Sequence, residues 1–246
     1  MINVLINGIN GKMGKETAKY VLNSNKTHLL GGLDHIISHN LPYKVFTNVD
    51  EIFEKPDVII DFSIPDATIN LLPYCIKNHI PIVIATTGFS DVEINKIKDS
   101  SEFIPIYHSS NMSYEISLVS SIICNLAKLL PESDIEILET HHNMKKDSPS
   151  GTALMLANNI NLATNNKYKY NLNRHNLSNK REKNEIGFSS IRGGNIVGEH
   201  SIFFYSENET LEIKHTALSR SIFAEGALKA AEFVITKENG YYTSLV

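Results

Sequence analysis

Short, dense apolar runs alternate with longer segments that carry an apolar residue at every third or fourth position. In the first half of the chain the runs are residues 2–6, 29–33, 58–62, 81–85 and 104–107. They are rich in Ile and Val and bounded by polar or glycine-rich segments, which reads as buried strands. Between them, Ala18, Val21 and Leu22 mark one face of a helix after Gly14. Ile69, Leu72 and Ile76 do the same over residues 66–77, and residues 91–98 form a further helix. Strands that alternate with helices specify a parallel sheet with right-handed crossovers, and ligands of such sheets lie beyond the carboxyl ends of the strands.

The rhythm then changes. Ile116, Val119, Ile122, Ile123, Leu126 and Leu130 recur at helical spacing until Pro131 stops the run. Residues 134–140 read as a strand, 153–162 as a helix, and 168–185 as a polar excursion rich in Asn and Lys with little core signal. Three β-rich runs follow, 186–191, 197–206 and 210–216, and a last, Ala-rich helix covers 223–234. The β-rich runs are expected to pair with the strand at 134–140 as an antiparallel sheet. The fold class is therefore α/β, a parallel-sheet domain plus an α+β domain with a mixed, largely antiparallel sheet.

With 246 residues the chain has room for one large domain or two small ones. A net charge of -4 and a pI near 6.2 argue against nucleic acid or a membrane surface as partner, so an anionic ligand has to be drawn in by local basic residues. Cys75 and Cys124 are far apart, each within an expected helix, which excludes a disulfide framework and a CxxC site and leaves them as small buried apolar residues. The opening MINVLINGIN lacks the basic start and continuous apolar core of a signal peptide. No apolar run reaches the roughly 18 residues needed to cross a bilayer, so a cytoplasmic protein is expected.

Two stretches carry chemistry. The first strand runs straight into Gly8-Ile9-Asn10-Gly11-Lys12-Met13-Gly14 and then a helix. Glycines there permit a tight turn and let backbone N–H groups approach a pyrophosphate, as in a Rossmann-type domain. Asp34 closes the next apolar run, where a carboxylate accepts from the adenosine ribose and repels a 2′-phosphate. The second stretch, ETHHNMKKDSPSGT over residues 139–152, follows another apolar run. On an extended backbone His141 and His142 point to opposite faces, so one meets the reaction while the other steadies the substrate. Lys145 adds a positive charge, and Pro149-Ser150-Gly151-Thr152 opens a helix whose free N–H groups attract an anion. The combination points to a carboxylate substrate that gains or loses a proton. Adjacent histidines are poor chelators and no third ligand follows at helical spacing, so no metal centre is expected.

Read on to Ala153, the second stretch is similar to the signature E-x-HHxxKxDxPSGTA of the dihydrodipicolinate reductases, enzymes of the bacterial lysine and diaminopimelate pathway. Ser148 stands where that family typically has Ala. TTGF after residue 85, SSNMS after 108, IRGGNIVGEH and HTALSRSIFAEGAL also match family patterns, so the resemblance covers essentially the whole chain. It implies NADH or NADPH as cofactor, bound by Gly8, Ile9, Asn10, Gly11, Lys12, Met13 and Asp34, with the nicotinamide and its ribose held by Ala85, Thr86, Thr87, Ser109, Ser110, Asn111 and Met112. Ala85 replaces the usual Gly, and His35 stands where an Arg often stabilises the phosphate of NADPH; NADH is expected to be preferred and NADPH accepted. The resemblance further implies a cyclic dicarboxylate substrate held by His142, Ser150, Gly151 and Thr152, with His141 and Lys145 handling the proton.

In domain terms it implies a nucleotide domain of residues 1–111 and 222–246, a substrate-binding and oligomerisation domain of 112–221, hinges near Met112 and Ser221, and a homotetramer. Other two-domain NAD(P) dehydrogenases of amino-acid metabolism share such a fold but lack the HHxxK and PSGT combination. A non-catalytic regulator that binds NADH would tolerate loss of His141 and Lys145, and both are present.

Overall fold

The structure, a computed structural model, describes residues 1–37, 41–174 and 180–245, which fall into two compact units: Met1–Tyr114 with Ser221–Leu245, and Glu115–Arg220. In the first unit, strands β1 (Ile2–Asn7), β2 (Thr27–Leu33), β3 (Val45–Phe46), β4 (Val58–Asp61), β5 (Ile82–Ile84), β6 (Pro105–His108) and β12 (Gly240–Tyr242) form one sheet in the order β12-β6-β5-β4-β1-β2-β3. All its pairings are parallel. Alternation along each strand serves two cores. Val4, Ile6, Val58, Ile60 and Val83 pack under α1 (Lys12–Asn23) and α6 (Ser221–Val234). Leu5, Ile59, Ile82 and Ile84 pack under α2 (Pro65–Asn78) and α3 (Asp91–Ser100) on the other side. From β1 the chain winds one way through β2 and β3 and the other way through β4 to β6, so the crevice for a ligand opens beyond Asn7 and Asp61.

Helix faces depart from the sequence reading in two places. Leu22 is 46% exposed, while Thr17, Ala18 and Val21 carry the inner face of α1. The inner face of α2 is Thr68, Leu71, Leu72 and Cys75, with Ile69 and Ile76 at its margins. Thr68 turns inward because its hydroxyl bonds the buried carboxylate of Asp61, 2.5 Å away, and apolar periodicity cannot register such a contact. Strands β3 and β12 are too short to leave a periodic signal. Both cysteines are free; Cys75 is buried and Cys124 only partly so.

The second unit is a sheet ordered β11-β10-β7-β9-β8, built from β7 (Asp134–His141), β8 (Lys169–Asn171), β9 (Glu185–Arg192), β10 (Gly198–Tyr205) and β11 (Thr210–Ala217). It is mixed, as the fold class expects, although the pairing of residues 186–191 with the strand at 134–140 is parallel and not antiparallel. β10 runs antiparallel to β7 and β11, but β9 is parallel to both β7 and β8. The chain leaves β7 through the helix α5 (Gly151–Ala163), and so long a connection returns it in the same direction. The polar excursion also contributes more than its composition promised. Tyr168 joins the core and Tyr170 meets Phe188 edge to face at 5.8 Å. Residues 175–179 of that excursion lie outside the described residues.

α4 (Tyr114–Leu129) and α5 cover one face of this sheet. Along β7 the buried positions are Ile135, Ile137, Glu139 and His141, so period two carries a carboxylate and an imidazole onto the covered face at the strand's carboxyl end. No helix among the described residues is long and apolar enough to cross a membrane.

Candidate active site

In the first unit the glycine turn folds tightly on itself and on the end of β2. The N–H groups of Gly8 and Ile9 bond Leu33 O at 2.9 and 3.3 Å, that of Asn10 bonds Asp34 Oδ2 at 2.9 Å, and that of Gly11 bonds Gly8 O at 3.0 Å. Gly8 has φ +76°, and a Cβ there would lie 2.5 Å from Phe62 O; at Gly14 it would lie 2.2 Å from Gly8 O. No side chain caps α1 at Gly11, so its first N–H groups, at Lys12 and Met13, face outward for an anion. A cavity of about 800 Å³ opens beside them, lined among others by Gly8, Gly11, Asp34, Phe62, Ser63 and Asn70. These features fit a dinucleotide: close backbone approach, an open helix start and a carboxylate. Asp34 also pairs with His35 Nδ1 at 3.0 Å.

The other turns expected at the cofactor lie at the carboxyl ends of β5 and β6. Thr86 is buried, its hydroxyl donating to Asp61 Oδ2 and accepting from Ser63 N, both at 2.9 Å, so only its backbone remains for a ligand. Ala85 is half-buried and Thr87 exposed. Ser109 Oγ donates to Asn111 O at 2.7 Å, Asn111 Oδ1 accepts from Ser113 N at 2.8 Å, Ser110 is exposed and Met112 is buried.

In the second unit Glu139, 1% exposed, is the hub. It receives Arg192 Nη1 at 2.9 Å on Oε2 and Nη2 at 2.7 Å on Oε1, the Ser150 N–H at 3.2 Å on Oε1, and His141 Nδ1 on Oε2. Burial works to raise its pKa, but the hydrogen bonds from His141 and Arg192 prevail and hold it well below the usual carboxylate range. With Nδ1 committed, His141 keeps Nε2 for chemistry. That nitrogen lies beside Gly198, where an added Cβ would stand 3.0 Å from it. The imidazole meets His200 edge to face at 5.2 Å. Burial pushes His200 down to about 3, so it is neutral, and its Nε2 lies 3.1 Å from Ser150 Oγ.

Ser150 caps α5, its Oγ accepting from Ala153 N at 3.2 Å. Its hydroxyl and its N–H are both engaged inside the protein, which differs from the expected role as a substrate donor. Lys145 Nζ lies 2.9 Å from Asp147 Oδ1, and Asp147 also bonds the Gly151 backbone. His142 is half-buried just past the end of β7, Thr152 half-buried and Gly151 exposed. Sequence reasoning missed Glu139, His200 and Gly198 here, and Asp61 in the first unit; Arg192 was legible only as an arginine suited to a carboxylate, either of the substrate or of an ion pair, and it pairs with Glu139. Period two along β7 was the available signal for Glu139; nothing in the spacing joined Arg192 to it. Among the described residues no group of three or more His, Cys, Asp or Glu is placed to hold a metal ion.

A switch-point crevice behind a glycine turn, and a second unit that holds an imidazole on a buried carboxylate near a helix start capped by Ser150, define a dinucleotide-dependent oxidoreductase for an anionic substrate. Comparison with known proteins narrows that class. Residues 2–112 match the family model described as dihydrodipicolinate reductase, N-terminus, and residues 115–245 match dihydrodipicolinate reductase, C-terminus. The chain belongs to the dihydrodipicolinate reductase family. Proteins named 4-hydroxy-tetrahydrodipicolinate reductase from Clostridium novyi and Caldanaerobacter subterraneus are each 45% identical over 99% of this chain and 96% of their own length. A dipicolinate-bound dihydrodipicolinate reductase from Paenisporosarcina sp. TG-14 superposes with a TM-score of 0.83 at 26% identity, over 100% of this chain and 98% of the other.

Proposed function

We propose that this chain reduces 4-hydroxy-tetrahydrodipicolinate to tetrahydrodipicolinate in lysine and diaminopimelate biosynthesis, working in the cytoplasm where its substrates are made. The observation that carries the reading is the Glu139–Arg192 clamp on His141, an acid–base group fixed at the end of the strand that leads into Lys145 and the start of α5, within the stretch that bears the family signature. When bound, NADH or NADPH supplies the hydride. The N–H groups of Lys12 and Met13 receive its pyrophosphate, Asp34 its ribose, and the turns at Ala85–Thr87 and Ser109–Met112 its nicotinamide end.

The protein's remaining task is to hold two carboxylates while the 4-hydroxyl leaves as water to give the unsaturated ring, and then to deliver one proton to the enamine carbon that hydride addition leaves. His141 Nε2 and Lys145 Nζ carry that proton, with Nδ1 of His141 locked on Glu139. Lys145, His142, Gly151 and Thr152 receive the carboxylates, Asp147 being displaced from Lys145 and the Gly151 N–H. Ser150 shapes the helix start. The uncovered face of the second sheet, with Phe203 and Tyr205 stacked at 5.4 Å and Ile191 49% exposed, supports a homotetramer built through this unit.

A coupled assay tests the reading. Substrate is generated enzymatically from pyruvate and aspartate semialdehyde, and absorbance of NADH and of NADPH is followed in parallel. Consumption of either nucleotide that depends on substrate, inhibited by pyridine-2,6-dicarboxylate, is the expected result. No consumption with either nucleotide rejects the assignment.

A further inference from the structure

We propose that Asp61 is a positioning residue for the dinucleotide, a buried carboxyl group that fixes the turns around the cofactor crevice by drawing one side-chain donor from each. The proposal rests on the dinucleotide reading of the first unit and adds a residue to which no role has been given. Asp61 ends β4 and is 0% exposed. Its Oδ1 accepts from Asn7 Nδ2 at 2.8 Å and Ser63 Oγ at 2.5 Å; its Oδ2 accepts from Thr68 Oγ1 at 2.5 Å and Thr86 Oγ1 at 2.9 Å. None of the ion pairs among the described residues includes it.

A carboxyl group in that position is costly to ionise: burial raises its pKa, the hydrogen bonds from Ser63, Thr68, Thr86 and Asn7 work to lower it, and those donors are all neutral. What it provides in return is direction. Each hydroxyl that gives its proton to Asp61 turns its lone pairs elsewhere: Thr86 Oγ1 accepts the Ser63 N–H at 2.9 Å, and Ser63 Oγ accepts Asn7 Nδ2 at 3.0 Å. The side chain that ends β1, the backbone after β4, the turn after β5 and the first turn of α2 are thereby locked together. Asn7 and Ser63 also line the cavity, and the bond network sets the approach of Gly8 to Phe62 O, where no Cβ fits. An asparagine offers acceptor capacity on one atom only, so its amide hydrogens would confront two of the four donors.

The test compares Asp61→Asn and Thr86→Val with the unaltered full-length protein. NADH dissociation constants come from fluorescence titration, KM for each substrate is measured at saturation of the other, and folding is followed by thermal unfolding. Loss of one or two directed hydrogen bonds predicts an NADH dissociation constant and KM raised about tenfold or more in both variants, with KM for the dicarboxylate substrate within about twofold. If the variants lose thermal stability yet bind NADH as the parent does, the role is structural and the proposal is overturned. Should Asp61→Asn fail to fold, Thr86→Val decides the matter by the same dissociation constant. Failure of the parent to bind either NADH or NADPH would reject the dinucleotide reading instead, so the two outcomes are distinct.

Discussion

Glu139→Gln is the sharpest perturbation of the acid–base cluster because it changes one atom and leaves the shape. Oε1 has two obligate donors, Arg192 Nη2 at 2.7 Å and the Ser150 N–H at 3.2 Å, so the single carbonyl oxygen of Gln takes that place. Its NH2 then falls at the Oε2 place, facing Arg192 Nη1 and His141 Nδ1. The arginine meets a donor instead of an acceptor. His141 must turn a lone pair to the amide, which moves its proton from Nδ1 to Nε2 and reverses the tautomer the clamp imposes. A correctly set acid or base contributes about 100- to 10,000-fold in rate, so kcat should fall about 100-fold or more, which is roughly 2.7 kcal/mol of barrier. The lost charged hydrogen bond to Arg192 should lower stability by about 2 kcal/mol. Steady-state NADH oxidation at saturating substrate reads the first effect and urea unfolding the second, while the NADH dissociation constant should not move. A kcat within about threefold of the parent, less than 1 kcal/mol, would refute the claim that Glu139 sets the working form of His141.

Other substitutions probe the same site. His141→Ala and Lys145→Ala should each lower kcat by about 100- to 10,000-fold with NADH affinity retained; normal turnover removes that residue from the mechanism. Gly198→Ala places a methyl 3.0 Å from His141 Nε2 and should cost kcat on the order of tenfold, whereas an unchanged kcat would mean that this nitrogen is not the one at work. Asp147→Asn removes a carboxylate that competes for Lys145 and the Gly151 N–H, so substrate KM should fall; a rise would show that Asp147 positions the lysine instead. Burial depresses His200 to about 3 and His108 to about 4, against about 6.5 in an unfolded chain. Below that value the unfolded chain takes up protons the native one refuses. Stability is therefore full above pH 6.5 and should drop by about 1.4 kcal/mol per pH unit for each group as pH falls towards 4. His200→Gln should flatten the decline in urea midpoint between pH 6.5 and 5, and an unaltered slope would contradict the assignment.

The parallel half of the fold was legible because buried strands such as Val58–Asp61 are dense in Ile and Val, and that one is followed by a helical period. Likewise the glycine turn and the stretch from Glu139 to Thr152 stood out as local combinations. What escaped was set by pairing over distance. The direction of β9 depends on how far the chain travels before it returns, and the inward turn of Thr68 depends on a carboxylate seven residues earlier. Arg192 reaches Glu139 only through the register that sets His141 opposite Arg192 across two strands. Asp61 sat inside the apolar run 58–62, and its four donors are scattered from Asn7 to Thr86. Hydrogen-bond hubs of this kind leave no periodic trace.

β7 lies in the middle of its sheet, with β10 on one side and β9 on the other. The imidazole at its tip is thus anchored in the stiffest part of the unit, whereas Lys145 and its neighbours hang from an irregular segment between that strand and α5. The two parts of the site are thus anchored differently: His141 is held by its strand and by Glu139, so substitutions at His142, Asn143 or Met144 are expected to alter binding of the anion more than the setting of that imidazole.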